Sequence, residues 1–303
     1  MPELPEVEVV RAGLAPAVTG SQVTSVTVFD ERSLRRHPGP AEDFIDRLTG
    51  ATLVGASRRG KFLWLPITVD VLAGPEASAV RSSDALVVHL GMSGQVLLRD
   101  RETNDRLTRI RLDIEHPEHG PLRLNFVDQR IFGSMALDTL RSTADATAER
   151  VPSQVAHIAR DPLDPLFDDA AFLARLRRRN TGIKRAMLDQ TLISGIGNIY
   201  ADESLWAARI HYDQPAATLS RPRAKLLLAE VRLVLAKALG EGGTSFDAQY
   251  VNVNGASGYF SHSLNVYGQQ GKNCPRCSRI IVRESFMNRG SHLCPFCQRL
   301  RLV

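Results

Sequence analysis

Four cysteines late in the chain constrain its fold more than any other feature. They form two Cys-x-x-Cys pairs, Cys274 with Cys277 and Cys294 with Cys297, and sixteen residues separate the pairs. This spacing is typical of zinc ribbons, in which two short turns bring four thiolates to one tetrahedral metal ion. So short a segment has too few apolar residues to fold without a metal. The pattern predicts one structural Zn(2+) ion, with a four-cysteine iron site or disulfides as alternatives.

The residues between the two cysteine pairs are predicted to form a hairpin. The segments RIIVR and SHL have the character of its two strands, and MNRG supplies the turn between them. Arg289 therefore lies at a turn, where its side chain could meet a phosphate group.

The distribution of charge indicates an acidic partner. The 303-residue chain has a formal net charge of +5 and a pI of about 9.2. From residue 272 to the end, seven lysines and arginines are present against one acidic residue, Glu284. A second basic cluster comprises Arg175, Arg177, Arg178, Arg179, Lys184 and Arg185. Charge runs are usually solvated surfaces, but two separate clusters favour nucleic acid, whose phosphates dominate binding energy.

The size and composition predict a soluble protein of about two domains. A hydrophobic content of 43% is enough for a folded core. The first residues show no basic stretch followed by an apolar one, and no apolar run approaches the length of a membrane span. We therefore expect a cytosolic protein.

The first residues, MPELPEVEVV, place Pro2 beside the carboxylates of Glu3 and Glu6. Proline suits the first turn of a helix, and glutamates there complement the positive end of the helix dipole. Apolar residues then recur at helical spacing, with Gly13 and Pro16 as helix-stop signals. Taken alone, the segment is predicted to be an ordinary amphipathic helix.

Residues 22–138 are predicted to be mainly strands, because segments such as RIRLDIEH and LRLNF alternate apolar and polar residues. Two glycine-containing turns stand out among them. One carries Met92 in HLGMSG, and the other carries Arg130 and Phe132 in DQRIFG. A methionine is more often packed in a core. Exposed at the tip of a turn in a basic protein, however, it resembles the apolar wedges that unstack base pairs.

After Val151 the sequence predicts a proline-bearing linker and then helices. A helix is expected over residues 221–240, with Ser220 as its cap, an apolar stripe and Gly240 at its end. Before it, GIGNIY forms a tight turn in which Asn198 opens a helix whose free backbone amides suit a phosphate. A glycine-rich turn is usually only a turn, but this one follows the second basic cluster.

These segments together resemble one known family. MPELPEVE, RRGKFL, HLGMSG, DQRIFG, MLDQTLISGIGNIYADE, GYFSHSLNVYG and the closing cysteine pairs are similar, in order, to the motifs of bacterial formamidopyrimidine-DNA glycosylases, the Fpg family. The related endonuclease VIII branch is also similar. That branch typically has glycine where Leu4 stands, so MPELPE favours the branch that acts on oxidised purines.

The resemblance implies a multidomain α+β fold with DNA bound between the domains. An N-terminal catalytic β-sandwich with flanking helices is expected over residues 1–150, followed by a linker at 151–166. A helical helix-two-turns-helix domain with a loop over the lesion is expected at 167–262. The C-terminal zinc-finger β-hairpin would occupy 263–303.

The resemblance also implies the chemistry. Removal of Met1 would expose the secondary amine of Pro2 as a nucleophile that attacks C1′ of a deoxyribose, so that strand cleavage follows by β,δ-elimination. Glu3 would give a proton to the sugar ring oxygen, a role that needs a raised pKa. Glu6 is assigned to positioning, and Lys61 is placed with the catalytic residues as a contact to the flanking phosphate.

The family's DNA contacts can be carried over where the residues match. Lys61, Asn198 and Arg289 correspond to contacts with phosphates of a kinked strand. Met92, Arg130 and Phe132 correspond to the residues that fill the gap left by a flipped nucleotide. The remaining implied DNA contacts are His89 and Tyr259.

The implied partner is double-stranded DNA with oxidised bases or abasic sites, bound by a monomer in the bacterial cytoplasm at the nucleoid. The chain departs from the family pattern at three places. Ile131 stands where a second arginine is common, DPLDPL replaces a glutamate-bearing GPEPL, and Gln269 replaces an arginine after VYG. In addition, residues 67–83 form an extra polar, alanine-rich segment.

Three functions are compatible with the sequence. The first is a bifunctional glycosylase and abasic-site lyase for oxidised purines such as 8-oxoguanine and formamidopyrimidines. The second is an endonuclease VIII-like glycosylase for oxidised pyrimidines. The third is a zinc protein that binds damaged DNA without catalysis, which would not require the intact Pro2–Glu3 pair.

Overall fold

A computed structural model describes residues 2–69, 83–146, 148–243 and 263–301. These residues form two compact units. One unit contains Pro2 and Glu6–His157, and the other contains Glu3–Pro5 with residues 158–243 and 263–301. Most of the additional segment at 67–83 lies outside the described residues, and so does Tyr259.

The first unit is built on an antiparallel sheet. Its strands are β1 (Gln22–Val28), β2 (Thr52–Leu53), β3 (Ser57–Arg59), β4 (Phe62–Thr68), β5 (Asp84–His89), β6 (Gly94–Arg99), β7 (Thr108–His116), β8 (Gly120–Asp128), β9 (Ser134–Ser142) and β10 (Arg150–Pro152). Within the described ranges they pair in the order β10-β9-β5-β4-β2-β1-β7-β8-β6, with β3 attached to β4. Its helices are α1 (Leu4–Val18), α2 (Ala41–Leu48) and two 3-10 turns, Glu31–Leu34 and Ser153–Val155.

The two ends of this sheet enclose a common core. Residues of β4 and β5, such as Leu63 and Val88, share one apolar cluster with Ile110, Leu112 and Phe126 of β7 and β8. The alternation of apolar and polar residues in RIRLDIEH explains how β7 joins this core, because it points every second side chain of β7 into the cluster. The predicted β-sandwich with flanking helices is confirmed.

Two local expectations for this unit were wrong. Helix α1 does not stop at Gly13 or Pro16 but continues to Val18. Burial of the last turn, including Leu14 and Val18 at 0% exposure, outweighs the unfavourable proline. A helix, α2, also lies within the region predicted as strands. Its buried Phe44 and Leu48 have helical spacing.

The second unit is helical and carries the hairpin. Its elements are α3 (Asp169–Leu176), α4 (Ile183–Met187), α5 (Asn198–Ala207), a 3-10 turn (Ala216–Thr218), α6 (Arg221–Gly240), β11 (Val282–Phe286) and β12 (Arg289–Leu293). The predicted 221–240 helix is confirmed, and its stripe of Leu227, Val231 and Leu235 is buried in the core of this unit. No helix among the described residues is long and apolar enough to cross a membrane.

Candidate functional site

The four cysteines converge on one point beside the β11–β12 hairpin. Their sulfur atoms all lie within 4.8 Å of one another, and the Sγ atoms of Cys277 and Cys294 are 3.5 Å apart. Tetrahedral zinc with Zn–S bonds of about 2.3 Å requires sulfur atoms roughly 3.8 Å apart. Cys274 and Cys294 are buried, while Cys277 and Cys297 are half-buried. The cluster therefore fits one structural zinc ion with four thiolate ligands, as predicted.

Trp206 of α5 joins this metal site to the helices. Its indole Nε1 donates a hydrogen bond to the Sγ of Cys274 at 3.4 Å, and the guanidinium of Arg276 stacks on its ring at 4.0 Å. Burial raises the pKa of Cys274, but the Trp206 bond and the backbone amides of Arg276 and Cys277 outweigh it and lower the pKa to about 7. These donors favour the thiolate, the form that binds a metal.

The carboxylate of Glu3 is held at the N-terminus of α5. It is 2% exposed and accepts hydrogen bonds from the backbone N–H groups of Gly197 at 2.6 Å, Ile199 at 2.8 Å and Tyr200 at 3.3 Å. A helix N-terminus offers unpaired N–H groups and the positive end of the dipole. The three donors therefore hold this carboxylate in a fixed position at the start of α5.

Two glycines of GIGNIY make this approach possible. The backbone N–H of Leu4 donates to the carbonyl oxygen of Gly195 at 2.9 Å. Gly195 has a φ of +85°, which favours glycine, and a Cβ there would lie 2.7 Å from the side chain of Leu4. A Cβ on Gly197 would lie 2.4 Å from Cδ of Glu3. The glycine-rich turn therefore receives the Glu3–Leu4 segment directly.

Asn198 connects α5 to the zinc hairpin. Its Nδ2 donates to the carbonyl oxygen of Gly290 at 3.1 Å. Arg289 precedes this glycine, and its exposed guanidinium contacts Asn288. Glu3, Asn198 and Arg289, which are far apart in the sequence, are thus brought to one end of α5.

Lys184 differs from the expectation of a solvated basic cluster. It is 0% exposed, and its Nζ lies 2.6 Å from Oδ1 of Asp202 and 3.3 Å from the carbonyl oxygen of Gly290. Burial lowers the pKa of Lys184, whereas Asp202 and Glu3 act in the opposite direction. No local sequence pattern predicted this role, because Lys184 lies in a run of surface arginines.

The first unit carries a basic region around His89. The pKa of His89 is lowered to about 4, first by burial and then by the nearby charges of Arg36, Arg35 and Lys61. His89 pairs with Phe62 across β4 and β5, and their ring centroids are 4.9 Å apart. Lys61 immediately precedes Phe62, so the predicted phosphate contact Lys61 and the predicted DNA contact His89 lie at the same end of these strands.

The predicted gap-filling residues are close to this basic region. Met92 is 44% exposed and Phe132 is 47% exposed, and Arg130 is exposed as well. The turn that carries Met92 packs tightly on the turn that carries Phe132: a Cβ on Gly91 would lie only 2.3 Å from the carbonyl carbon of Phe132. The structure therefore brings Lys61, His89, Met92, Arg130 and Phe132 into one region of the first unit.

The remaining predicted site residues are accounted for as follows. Pro2 and Glu6 are buried, with Glu6 9% exposed. Tyr259 lies outside the described residues. The sequence did not predict the roles of Asp202 and Trp206: Asp202 lies in the motif MLDQTLISGIGNIYADE, but only Asn198 of that motif was assigned a contact.

Three family models match successive parts of the chain. Residues 1–135 match the formamidopyrimidine-DNA glycosylase N-terminal domain, and residues 158–249 match the formamidopyrimidine-DNA glycosylase H2TH domain. Residues 271–300 match the zinc finger found in FPG and IleRS.

Whole-chain comparisons agree. The formamidopyrimidine-DNA glycosylase of Leifsonia xyli subsp. xyli is 66% identical over 99% of this chain and 100% of its own. The formamidopyrimidine-DNA glycosylase of Thermobifida fusca is 51% identical over 98% of this chain and 97% of its own. Lactococcus lactis Fpg bound to DNA with an abasic site has a TM-score of 0.80 at 29% identity, covering 98% of this chain and 99% of its own. A second structure of Lactococcus lactis Fpg, bound to DNA that contains Fapy-dG, has a TM-score of 0.79 at 30% identity. It covers 98% of this chain and 100% of its own. The chain belongs to the formamidopyrimidine-DNA glycosylase family.

Proposed function

We propose that this protein is a base-excision repair enzyme that removes oxidised purines from double-stranded DNA and then cleaves the strand at the abasic site. Its relatives are named for the formamidopyrimidine substrate, and two similar solved structures hold DNA with Fapy-dG or an abasic site. The whole chain aligns with these relatives, so the family's glycosylase and abasic-site lyase activities are assigned to it.

The nucleophile is the secondary amine of Pro2, freed by removal of Met1. Its nitrogen forms a bond to C1′, the N-glycosidic bond breaks, and the base leaves with the bonding electrons and takes a proton from solvent. The nitrogen loses its proton as the C1′–O4′ bond opens, which gives an iminium ion. Water takes the C2′ proton, the electrons of the C2′–H bond move into the iminium, and the resulting enamine expels the 3′ phosphate with its bonding electrons. Loss of the C4′ proton to water expels the 5′ phosphate in the same way, and hydrolysis of the iminium then frees the Pro2 amine.

Glu3 is assigned to the ring oxygen, which gains a proton as the sugar opens. Its carboxylate accepts hydrogen bonds from the amides of Gly197, Ile199 and Tyr200. In the proposed step, the proton that reaches the ring oxygen through Glu3 is the one that the Pro2 nitrogen releases. Glu6 is assigned to positioning and Lys61 to the phosphate next to the lesion.

The DNA contacts are proposed in two groups. Lys61, Asn198, Tyr259 and Arg289 hold phosphates, and His89 is a further DNA contact. Met92, Arg130 and Phe132 occupy the space vacated by the flipped nucleotide. Arginine can donate to base edges, and exposed apolar side chains can stack on neighbouring bases.

The organisation of the protein is proposed on the same basis. The domains would extend over 1–150, 167–262 and 263–303, with the linker at 151–166. The protein would act as a monomer in the cytoplasm, where its DNA substrate is found.

The observation that carries the proposal is the burial of the Glu3 carboxylate on the N-terminal amides of α5, which fixes the residue next to the proposed nucleophile. Borohydride reduction during reaction with an 8-oxoguanine duplex should trap the protein covalently on DNA. Pro2→Gly should sharply reduce the trapped product. Mass spectrometry should show that active protein lacks Met1.

Each alternative function gives a different result in this experiment. A non-catalytic binding protein would bind the duplex without trapping or cleavage. An endonuclease VIII-like enzyme would excise thymine glycol much faster than 8-oxoguanine from matched duplexes. Strand cleavage without any trapped adduct, by processed wild-type protein that holds zinc, would contradict the amine mechanism.

A further inference from the structure

Asp128, at the end of β8, accepts hydrogen bonds from two separate turns of the first unit. Its Oδ1 accepts from the hydroxyl of Ser93 at 2.5 Å and from the backbone N–H of Arg130 at 3.1 Å. Its Oδ2 accepts from the backbone N–H of Gly133 at 2.7 Å. Asp128 is 0% exposed, so each of these bonds is shielded from water.

This carboxylate links the turn at residues 91–94, which carries Met92, to the loop at 129–133, which carries Arg130 and Phe132. Breaking the link would leave a buried charge with unpaired donors around it, and such groups are costly in a protein interior. The two segments are therefore tied at their bases while their tips stay exposed.

Arg35 restrains the 129–133 loop from another side. One guanidinium nitrogen donates to the carbonyl oxygen of Ile131 at 2.7 Å, and the other donates to the carbonyl oxygen of Phe132. Ile131 needs such restraint, because its φ of +57° is in the left-handed region that β-branched residues rarely adopt. A strained backbone persists only where its surroundings hold it in place.

We propose that Asp128, Ser93 and Arg35 are positioning residues that hold Met92 and Phe132 as one rigid wedge for insertion into the duplex. This inference rests on the proposed function. Inserting apolar side chains between base steps costs unstacking energy. Flexible tips would add an ordering cost at the moment of insertion, whereas tips fixed in advance avoid that cost.

The test compares two substrates under single-turnover conditions. Arg35→Met, Ser93→Ala and Asp128→Asn should each slow excision from an 8-oxoguanine duplex by roughly 10- to 100-fold, as expected for a misplaced functional group. Strand cleavage at a preformed abasic site should change much less, because no base has to leave the stack.

Asp138 provides a matched control in the same unit. Its carboxylate joins β9 to the turn at Ser153–Val155, accepting from the hydroxyl of Ser153 at 2.7 Å and the backbone N–H of Gln154 at 2.7 Å. Neither β9 nor this turn carries a proposed DNA contact. Asp138→Asn should leave the ratio of the two rates unchanged. A 2-aminopurine beside the lesion should brighten on unstacking with wild type and the control, and much less with the three variants.

Equal slowing on both substrates, or unchanged excision by Arg35→Met and Ser93→Ala, would overturn the inference. Arg35 is exposed, so its variant keeps the test valid if Asp128→Asn does not fold. Wild-type protein inactive on both substrates would instead contradict the proposed function, which is a distinguishable outcome.

Discussion

Nζ of Lys184 lies 2.6 Å from Oδ1 of Asp202, and these side chains are only 0% and 1% exposed. Asp202 also accepts from the hydroxyl of Ser291 and the backbone N–H of His292. Lys184→Met would leave the Asp202 carboxylate buried without the lysine cation. We expect a loss of about 3–5 kcal/mol in the free energy of unfolding, measured by urea denaturation.

A double variant separates the charge from the packing. Lys184→Met combined with Asp202→Asn removes both charges and keeps a side-chain acceptor for Ser291, so most of the loss should be recovered. Lys225→Met, at an exposed position of α6, should change stability by less than about 0.5 kcal/mol. A similar loss in the single and double variants would show that the ion pair is not the cause.

Gly197→Ala tests the contact between Glu3 and α5. The φ of Gly197 is −125°, which alanine adopts without strain, so the added methyl acts only through its clash with Glu3. Displacing this carboxylate should reduce excision by on the order of 100-fold.

Gly240→Ala is the matched control. A Cβ at this position, the last residue of α6, meets nothing within 4 Å. The variant should keep wild-type activity and gain up to about 1 kcal/mol of stability. Wild-type activity in Gly197→Ala would mean that Glu3 does not need its place on α5.

The sequence predicted the features that depend on local pattern. The β7 strand follows from the alternation of Ile110, Leu112 and Ile114, and the metal site follows from the cysteine spacing. The contact of Glu3 with Gly197 joins residues 194 positions apart, and nothing in either segment specifies the other.

Burial of charge was the least predictable property. Lys184 belongs to a basic run and Asp128 to a turn motif, and charged residues are mostly exposed unless they are paired. Their partners come from other parts of the fold, so the sequence contains no local signal for them. The residues that position a site are therefore harder to predict than the residues that react.

Removing zinc should release the hairpin from α5. The indole of Trp206 contacts both Cys274 and Arg276, so its fluorescence should report the loss of the metal. In a Trp64→Phe background, chelation should change the emission of Trp206 and weaken DNA binding strongly, and one equivalent of zinc per chain should restore both. Unchanged emission in metal-free protein would contradict this arrangement.

His89 should make stability depend on pH. Its pKa falls from 6.5 to about 4 in the folded protein, so between these values the unfolded chain binds a proton that the folded chain does not. The stabilisation is complete above pH 6.5 and is lost as the pH falls towards 4. His89→Gln should lack this component, a difference on the order of 2 kcal/mol between pH 7 and 4.5. Parallel pH profiles for the two proteins would contradict the assignment.

Arg289 should contribute to affinity without selecting the base. Its guanidinium is exposed at the tip of the hairpin, where it contacts Asn288. Arg289→Ala should weaken duplex binding and lower the slope of log affinity against log salt by about 1. Arg299→Ala removes an equally exposed charge that stacks on Phe296 beside the cysteines, and should have a much smaller effect on both. A changed preference among lesions at unaltered affinity would show that Arg289 acts on the base and not on the phosphate.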